Sequence, residues 1–517
     1  MNEQQFWSHL DTLLNSKQVS PSTIQAIRKR LLLLHQQLTL PLKLIVETVC
    51  GGGVYLTERN SLNFPSITPV YSLSGHQEIA LEMGLSNSAI ALISGPPATG
   101  KTRIAASLAA AAINHEKRIL ILSYYPTVLD GYEQLPGYPL RLNQSVSHQN
   151  SIAEQLRNHH LYQPKMDYLP AYYLPDVELA KLRTPAKLET WLPRIENKSH
   201  AEISQLLQGE FPHLTPARRD ILAIQLQRLT PLLKQQLSLS QLFGSLPETE
   251  IGKLAQQLAN TPQIPILATA REFFDVANQS LWQTKFDLVI VEESQYLSWD
   301  ELILLAGLTQ KLVLFGDVRD IYIGQRHAKT LTRVDGFSFL SHYLLPAYSY
   351  KLTQQFRLHP EIAVPVYSLI SKDWIQTHTE PIYYNLPSLN HRLVWQDVRQ
   401  TTEIHNISNW LKNLPKNRED IGIIATSERE RERLMQEYPQ YFIDTIDNWR
   451  GKEKKIVVFC CSGDPKNLTW EQTKIVLTRA KDYLIMVGDF DQWRPNSPLQ
   501  KLEVARLEST ERTVILS

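Results

Sequence analysis

The sequence is poor in cysteine: three in 517 residues, Cys50, Cys460 and Cys461, the last two adjacent in an apolar run. No Cys-x-x-Cys pair occurs, which removes zinc ribbons and disulfide frameworks and points to a reducing, cytoplasmic compartment. An excess of charge of one sign is also missing. Lys and Arg number 53 against 52 Asp and Glu, a formal charge of +1, so any surface for a polyanion must be local. Long apolar runs are absent. The richest, such as 104–113, are too short or interrupted to cross a bilayer, so no membrane role is expected. The start, MNEQQFWSHLDTLL, carries acids and no apolar core, unlike a signal peptide. No fixed-period repeat argues for a solenoid. What is present is ordinary globular composition, 43% hydrophobic and 20% charged, with length for roughly two to four domains.

Residues 1–50 read as helical, with Ser20-Pro21 as a helix start and Ile24, Ile27, Leu31 and Leu34 at helical spacing, before Gly51–Gly53 ends the pattern. Ala89–Ser94, Arg118–Ser123, Phe286–Val291 and Leu312–Phe315 are short apolar runs that alternate with helical patterns. That texture predicts an α/β fold with a parallel sheet and crossover helices. Residues 131–261 are rich in Leu and Gln, have few strand-like runs, and are expected to form a helical insertion. From about Tyr350 a second series follows, with Ile421–Ala425, Lys455–Cys461 and Tyr483–Val487 as strands. The expected division is 1–74 as an N-terminal helical segment, 75–130 with 262–345 as a first domain, 131–261 as insertion and 346–517 as a second domain.

Gly95-Pro96-Pro97-Ala98-Thr99-Gly100-Lys101-Thr102 fits G-x-x-x-x-G-K-[ST], between an apolar strand and the helical run RIAASLAAAAI. Backbone N–H groups of such a loop and helix start cradle phosphates. Lys101 would neutralise β/γ charge, and Thr102 would ligate Mg²⁺. The run FDLVIVEESQ ends a buried strand in two acids. Glu292 would hold Mg²⁺, Glu293 would orient and deprotonate the attacking water, and Gln295 would sense the γ-phosphate.

In this order, Gln77, GPPATGKT, EESQ, Gln355-Phe-Arg-Leu-His-Pro360, IGII at 421–424, TIDNWRGKE at 445–453 and LTRAK at 477–481 resemble superfamily 1 helicases. The form of the phosphate loop and the QFRLHP hexapeptide resemble the branch of the nonsense-mediated-decay RNA helicase and its DNA-replication relatives. The resemblance covers about 75–130 and 262–490. It implies two RecA-like parallel-sheet domains with ATP in the cleft between them, and an ATP-dependent translocase or helicase moving 5′→3′ on a single strand. It implies that Arg357 and Arg479 meet the γ-phosphate, that Gln77 reads adenine, and that Glu453 contacts ribose or nucleotide near the cleft. Phe337 and Phe339 stand where the family has an aromatic that can flank adenine, with core packing as the competing reading.

A single strand needs phosphate contacts and aromatic platforms, for which Tyr124, Tyr125, Thr445, Trp449 and Arg450 are the candidates. The tyrosines and Trp449 equally suit core packing. Several positions depart from the family pattern. Glu292 replaces an Asp, Asp320 and Arg450 each replace a Gln, and the loop after the second strand reads Ser123-Tyr-Tyr-Pro126. These departures fall on coupling positions, so a rival expectation is a nucleotide-dependent switch or motor subunit inside a multi-protein defence or mobile-element complex. No strand series for the family's accessory barrel and no acid–acid–Lys nuclease cluster is evident, so cutting would need a partner such as a nuclease chain. DNA is weakly favoured over RNA because RNA-binding accessory modules are lacking.

Overall fold

In the computed structural model the described residues are 39–49, 72–132, 139–142, 185–244, 264–275, 284–318, 335–344, 346–371, 389–398, 418–461 and 463–508, with positions 7, 8, 10–12, 15, 25, 135, 278, 281, 282, 375–377 and 386. The helix start at Ser20-Pro21, the Gly51–Gly53 stop and the departure at Asp320 lie outside them. The chain divides into two compact units, residues 1–94 with 101–351, and 352–517 with the short loop 95–100. No helix among the described residues is long and apolar enough to cross a membrane.

The first unit carries strands β1 Ile90–Ser94, β2 Ile119–Ser123, β3 Leu140–Arg141, β4 Ile266–Thr269, β5 Phe286–Glu292, β6 Thr309–Gly316 and β7 Ser349–Lys351. Their order is β3-β4-β2-β5-β6-β1-β7, and every pairing is parallel. Parallel strands buried on both faces read as continuous apolar runs, and β1 and β2 are buried at all five residues each. Register places Ser94 beside Gly316 and Ser123 beside Glu292. The carboxyl ends of β1, β2, β5 and β6 therefore finish level along one edge, where open α/β sheets bind ligands. The helix Lys101–Asn114 is buried over most of its length because its alanine run leaves room for close packing. Helix Gly75–Leu85 starts in a capping box of Ser74 and Gln77.

Two boundaries differ from expectation. Residues 349–351 form β7 beside β1, so they complete the first sheet instead of opening the second domain at 346. Residues 131–132 and 140–141 are not yet insertion: Asp130–Tyr132 is a 3₁₀ turn, and Leu140–Arg141 is an edge strand of the sheet. Among the described residues the helical part comprises Pro185–Ile195, His200–Glu210 and Pro216–Gly244. These helices enclose a core of their own, including Leu188, Trp191, Ile203, Leu207, Phe211 and Leu226.

The second unit carries β8 Gln354–Gln355, β9 Gln376–Thr377, β10 Leu393–Asp397, β11 Ile421–Ala425, β12 Phe442–Thr445, β13 Lys454–Cys460, β14 Ala480–Gly488 and β15 Ala505–Glu508. β8 and β9 pair separately. The others form a parallel sheet ordered β12-β11-β13-β14-β10-β15. Apolar layers cover both faces, one around Trp395, Phe459 and Met486, the other around Ile423, Val458 and Ile485. Two separate parallel sheets with crossover helices are the two RecA-like domains that the motif order implies.

Candidate active site

The phosphate loop follows β1 directly. Ala98 (φ 70°) and Gly100 (φ 84°) are left-handed at alternating positions, the backbone pattern of an anion nest. Thr99 Oγ1 donates to the Pro96 carbonyl at 2.9 Å and holds the turn closed. Lys101 and Thr102 open the helix that follows, where the first turn has unpaired N–H groups and a positive dipole end.

β5 delivers the acids. Glu292, the last residue of the strand, is buried, and its carboxylate accepts from Tyr132 Oη and from the Thr102 hydroxyl. Burial pushes the Glu292 carboxyl above its ordinary range, with Glu293 adding to the rise. The two hydroxyl donors and Lys101 pull it back. A carboxylate and a hydroxyl already in contact are hard oxygen donors of the kind Mg²⁺ prefers, and Mg²⁺ commonly takes few protein ligands beside phosphates and waters. The residues present therefore fit the metal that the phosphate loop implies.

Glu293 has φ 54° and ψ 39°, a left-handed conformation that costs a non-glycine residue roughly 1–2 kcal/mol. The strain turns the chain sharply out of β5, and neighbours hold it. Gln295 Nε2 donates to Glu293 Oε2 at 2.7 Å, and Gln295 Oε1 accepts from the Asp317 N–H at 3.1 Å. Ser294 Oγ donates to the Phe315 carbonyl at 2.8 Å. At Gly316 a Cβ would stand 2.7 Å from Gln295 Oε1 and 2.7 Å from the Phe337 ring, so only glycine lets Gln295 reach Glu293. Phe337 is accordingly core, and Phe339 packs on Trp299 and Tyr343.

Beside the acids lies an aromatic cluster. Tyr124 and Tyr125 follow the end of β2, and Tyr296 follows Glu293. The ring centroids are 5.0 Å apart for Tyr124–Tyr125, 5.5 Å for Tyr124–Tyr296 and 5.1 Å for Tyr125–Tyr296. Tyr124 is 49% exposed, which leaves it available for stacking. Tyr296 and Tyr132 carry no signal in the sequence. Tyr132 lies 160 positions from Glu292, and Tyr296 takes its place only through the turn at Glu293.

Gln77 is buried in the first turn of its helix, and its side-chain oxygen accepts from the Ser74 N–H at 3.1 Å. In the second unit Arg357 and Glu453 form an ion pair. Lys481 Nζ binds the other Glu453 oxygen at 2.6 Å, and Arg357 Nη1 donates to the Thr478 carbonyl at 3.0 Å. Burial alone would raise the Glu453 carboxyl, but Arg357 and Lys481 outweigh it and hold the group at about 2. Arg479 is buried and donates to the Ile475 carbonyl at 3.2 Å, the Lys452 carbonyl at 3.4 Å and Thr478 Oγ1 at 2.8 Å. Both arginines thus converge on Thr478, and Glu453 faces cations on both oxygens.

One expected strand contact is corrected. Trp449 is 0% exposed: its indole packs on Phe442, and its N–H donates to the Ile423 carbonyl at 3.2 Å. A ring with no exposed face cannot stack a base, so Trp449 is a core residue. Neighbouring Arg450 is mostly buried beside Asp447 at 3.5 Å, and Thr445 ends β12 half-buried.

Comparison with known proteins adds relatives. Residues 337–491 match the family model described as an AAA domain. A stretch of 274 residues is 25% identical to the DNA replication ATP-dependent helicase/nuclease DNA2 of Gallus gallus, over 46% of this chain and 26% of that protein. The chain thus spans about a quarter of that relative's length. Solved structures of the PRRSV helicase (12% identity, TM-score 0.36, covering 81% of this chain and 56% of that one) and of arterivirus nonstructural protein 10, a helicase (12%, 0.35, 81% and 63%), are also similar. Over these stretches the chain is thus similar to an AAA-domain family and to an ATP-dependent helicase/nuclease, in keeping with the motif order that resembles superfamily 1 helicases.

Proposed function

We propose that the chain is an ATP-hydrolysing translocase that moves along single-stranded nucleic acid, DNA in preference to RNA, in the 5′→3′ direction. One observation carries this reading: Glu293, the candidate base, is held by Gln295 and is followed by Tyr296, whose ring packs on exposed Tyr124. Hydrolysis chemistry and a base-stacking surface share one turn of chain.

In this mechanism the loop 95–100 cradles the phosphates, and Lys101 neutralises their charge. Thr102 and Glu292 would hold Mg²⁺, which when bound screens the phosphate oxygens. Glu293 accepts a proton from the attacking water at its carboxylate, while Gln295 fixes the direction of that carboxylate. Arg357 and Arg479 are the candidates for charge stabilisation at the transferring phosphoryl group. Their planar forks suit its oxygens, and such arginines are worth about 10³–10⁵ in rate. Strand bases stack on Tyr124, each ring contact contributing about 1–3 kcal/mol.

The test is ATPase rate against matched single-stranded DNA and RNA over a salt series. Glu293→Gln is expected to abolish hydrolysis and keep nucleotide binding. Tyr124→Ala is expected to lower strand stimulation without changing the basal rate. Wild-type turnover in Glu293→Gln would refute the assignment of the base, and a rate indifferent to any single strand would refute the translocase.

A further inference from the structure

Tyr132 is wholly buried, and the mechanism above gives it no part. Its hydroxyl donates to Oε1 of Glu292, the carboxylate assigned to the metal. A buried Phe would fill the same volume, so what the hydroxyl adds is its grip on that oxygen. Glutamate has one more rotatable bond than aspartate, and Mg²⁺ demands near-ideal octahedral placement of its ligands. A carboxylate on so flexible a stem needs a fixed partner.

Tyr132 is itself fixed. It ends the turn Asp130–Tyr132, which follows the helix Pro126–Leu129. Arg141, on edge strand β3, donates to Asp130 Oδ1 at 2.9 Å and to the Pro126 carbonyl at 2.7 Å, clamping both ends of that segment. The Leu135 N–H donates to the Tyr132 carbonyl at 3.0 Å. The same turn passes beside the other metal-side residue: a Cβ built on Gly131 would lie 3.7 Å from the methyl of exposed Thr102. Tyr132 and Glu292 are therefore one buried pair, its turn tied to the sheet edge by Arg141.

We propose that Tyr132 is a positioning residue that holds the Glu292 carboxylate in the orientation that receives Mg²⁺ with nucleotide. This rests on the nucleotide-hydrolysing reading of the site. Loss of a side chain that orients a metal ligand typically weakens the metal by about 10–100-fold.

The experiment reads binding and not turnover. N-methylanthraniloyl-ADP is bound to wild type, Tyr132→Phe, Glu292→Asp and the double variant, and Mg²⁺ is titrated in. Affinity in EDTA gives the metal-free reference, and thermal melts confirm folding. Tyr132→Phe is expected to leave EDTA affinity within about twofold and to raise the Mg²⁺ midpoint about 10–100-fold. Glu292→Asp draws the carboxylate back by about 1.5 Å, beyond the hydroxyl. Adding Tyr132→Phe to it is expected to change the midpoint by less than about twofold. A wild-type Mg²⁺ midpoint in Tyr132→Phe, or effects of the two substitutions that multiply, would overturn the inference. A wild-type protein that binds the labelled ADP equally in Mg²⁺ and EDTA would overturn the inference alone, and one that binds it in neither would overturn the nucleotide reading itself.

Discussion

Replacing Trp449 by alanine separates the two roles open to this residue. The indole is fully buried, packs on Phe442 with ring centroids 5.1 Å apart, and donates to the Ile423 carbonyl at 3.2 Å. It lies so close over β11 that a Cβ on Gly422 would come 2.2 Å from its Cη2. The neighbouring backbone is sheet, so the site cannot collapse when the ring is removed. Truncating a buried Trp in a rigid site costs about 3–5 kcal/mol. At about 2–4 °C per kcal/mol for a domain of this size, the melting temperature of the second unit should fall by about 6–20 °C. Calorimetry measures that fall. Anisotropy with a labelled oligonucleotide, taken well below both transitions, measures the strand. Affinity is expected to stay within about twofold of wild type. A stacking platform would instead lose about 1–3 kcal/mol, or roughly 5–150-fold in affinity. An unchanged melting temperature with a tenfold loss of strand affinity would refute the burial argument.

Gly316→Ala forces a methyl against Gln295 and Phe337; turnover should fall on the order of 100-fold with nucleotide affinity nearly unchanged, and an active alanine variant would show that Gln295 does not hold the base. Glu453→Gln removes the charge facing Arg357 and Lys481, and kcat should fall about 10–100-fold. The preference for ATP over its 3′-deoxy analogue should stay as in wild type, whereas loss of that preference would make Glu453 a ribose contact. Because the Glu453 carboxyl is held at about 2, below its unfolded value of 4.5, its contribution to stability is fully present above that unfolded value and is lost only as pH falls through about 2. An acid titration of Glu453→Gln should lack that component. Lys311 is buried and donates to the Ser86 and Ser88 carbonyls at 2.5 and 2.8 Å, and burial lowers it to about 7. The unfolded chain therefore binds the extra proton between about pH 7 and 10.5, so folding strengthens with rising pH. Wild type should gain about 2 kcal/mol between pH 7 and 9 relative to Lys311→Met; parallel urea profiles at the two pH values would contradict this.

The central strands were legible because both faces are buried. IALIS, FDLVIVE and IGIIA are continuous apolar runs, and each forms a strand where the run lies. The edges were not. β12 is FIDT and β15 is ARLE, short and polar enough to read as loop, and β3 is two residues long. The phosphate loop and the acids were legible because their chemistry is local in sequence. The contacts that orient them are not. Gln295 reaches Glu293 only because a glycine at 316 stands beneath it, and Tyr132 meets Glu292 through a turn 160 positions away in sequence. Trp449 stays open between strand contact and core in the sequence for a related reason. Its neighbours Asp447, Asn448 and Arg450 are polar and suggest an exposed turn, while the space that takes the ring is made by Gly422 on another strand.

The three helices between 185 and 244 fill their core with their own side chains. That core is a cluster separate from the one built on the first sheet. Substitutions inside it should therefore unfold the three helices without emptying the core beneath the acids. The hydroxyl on Glu292, by contrast, comes from a turn at the sheet's own edge, which Arg141 of β3 holds through Asp130 and the Pro126 carbonyl.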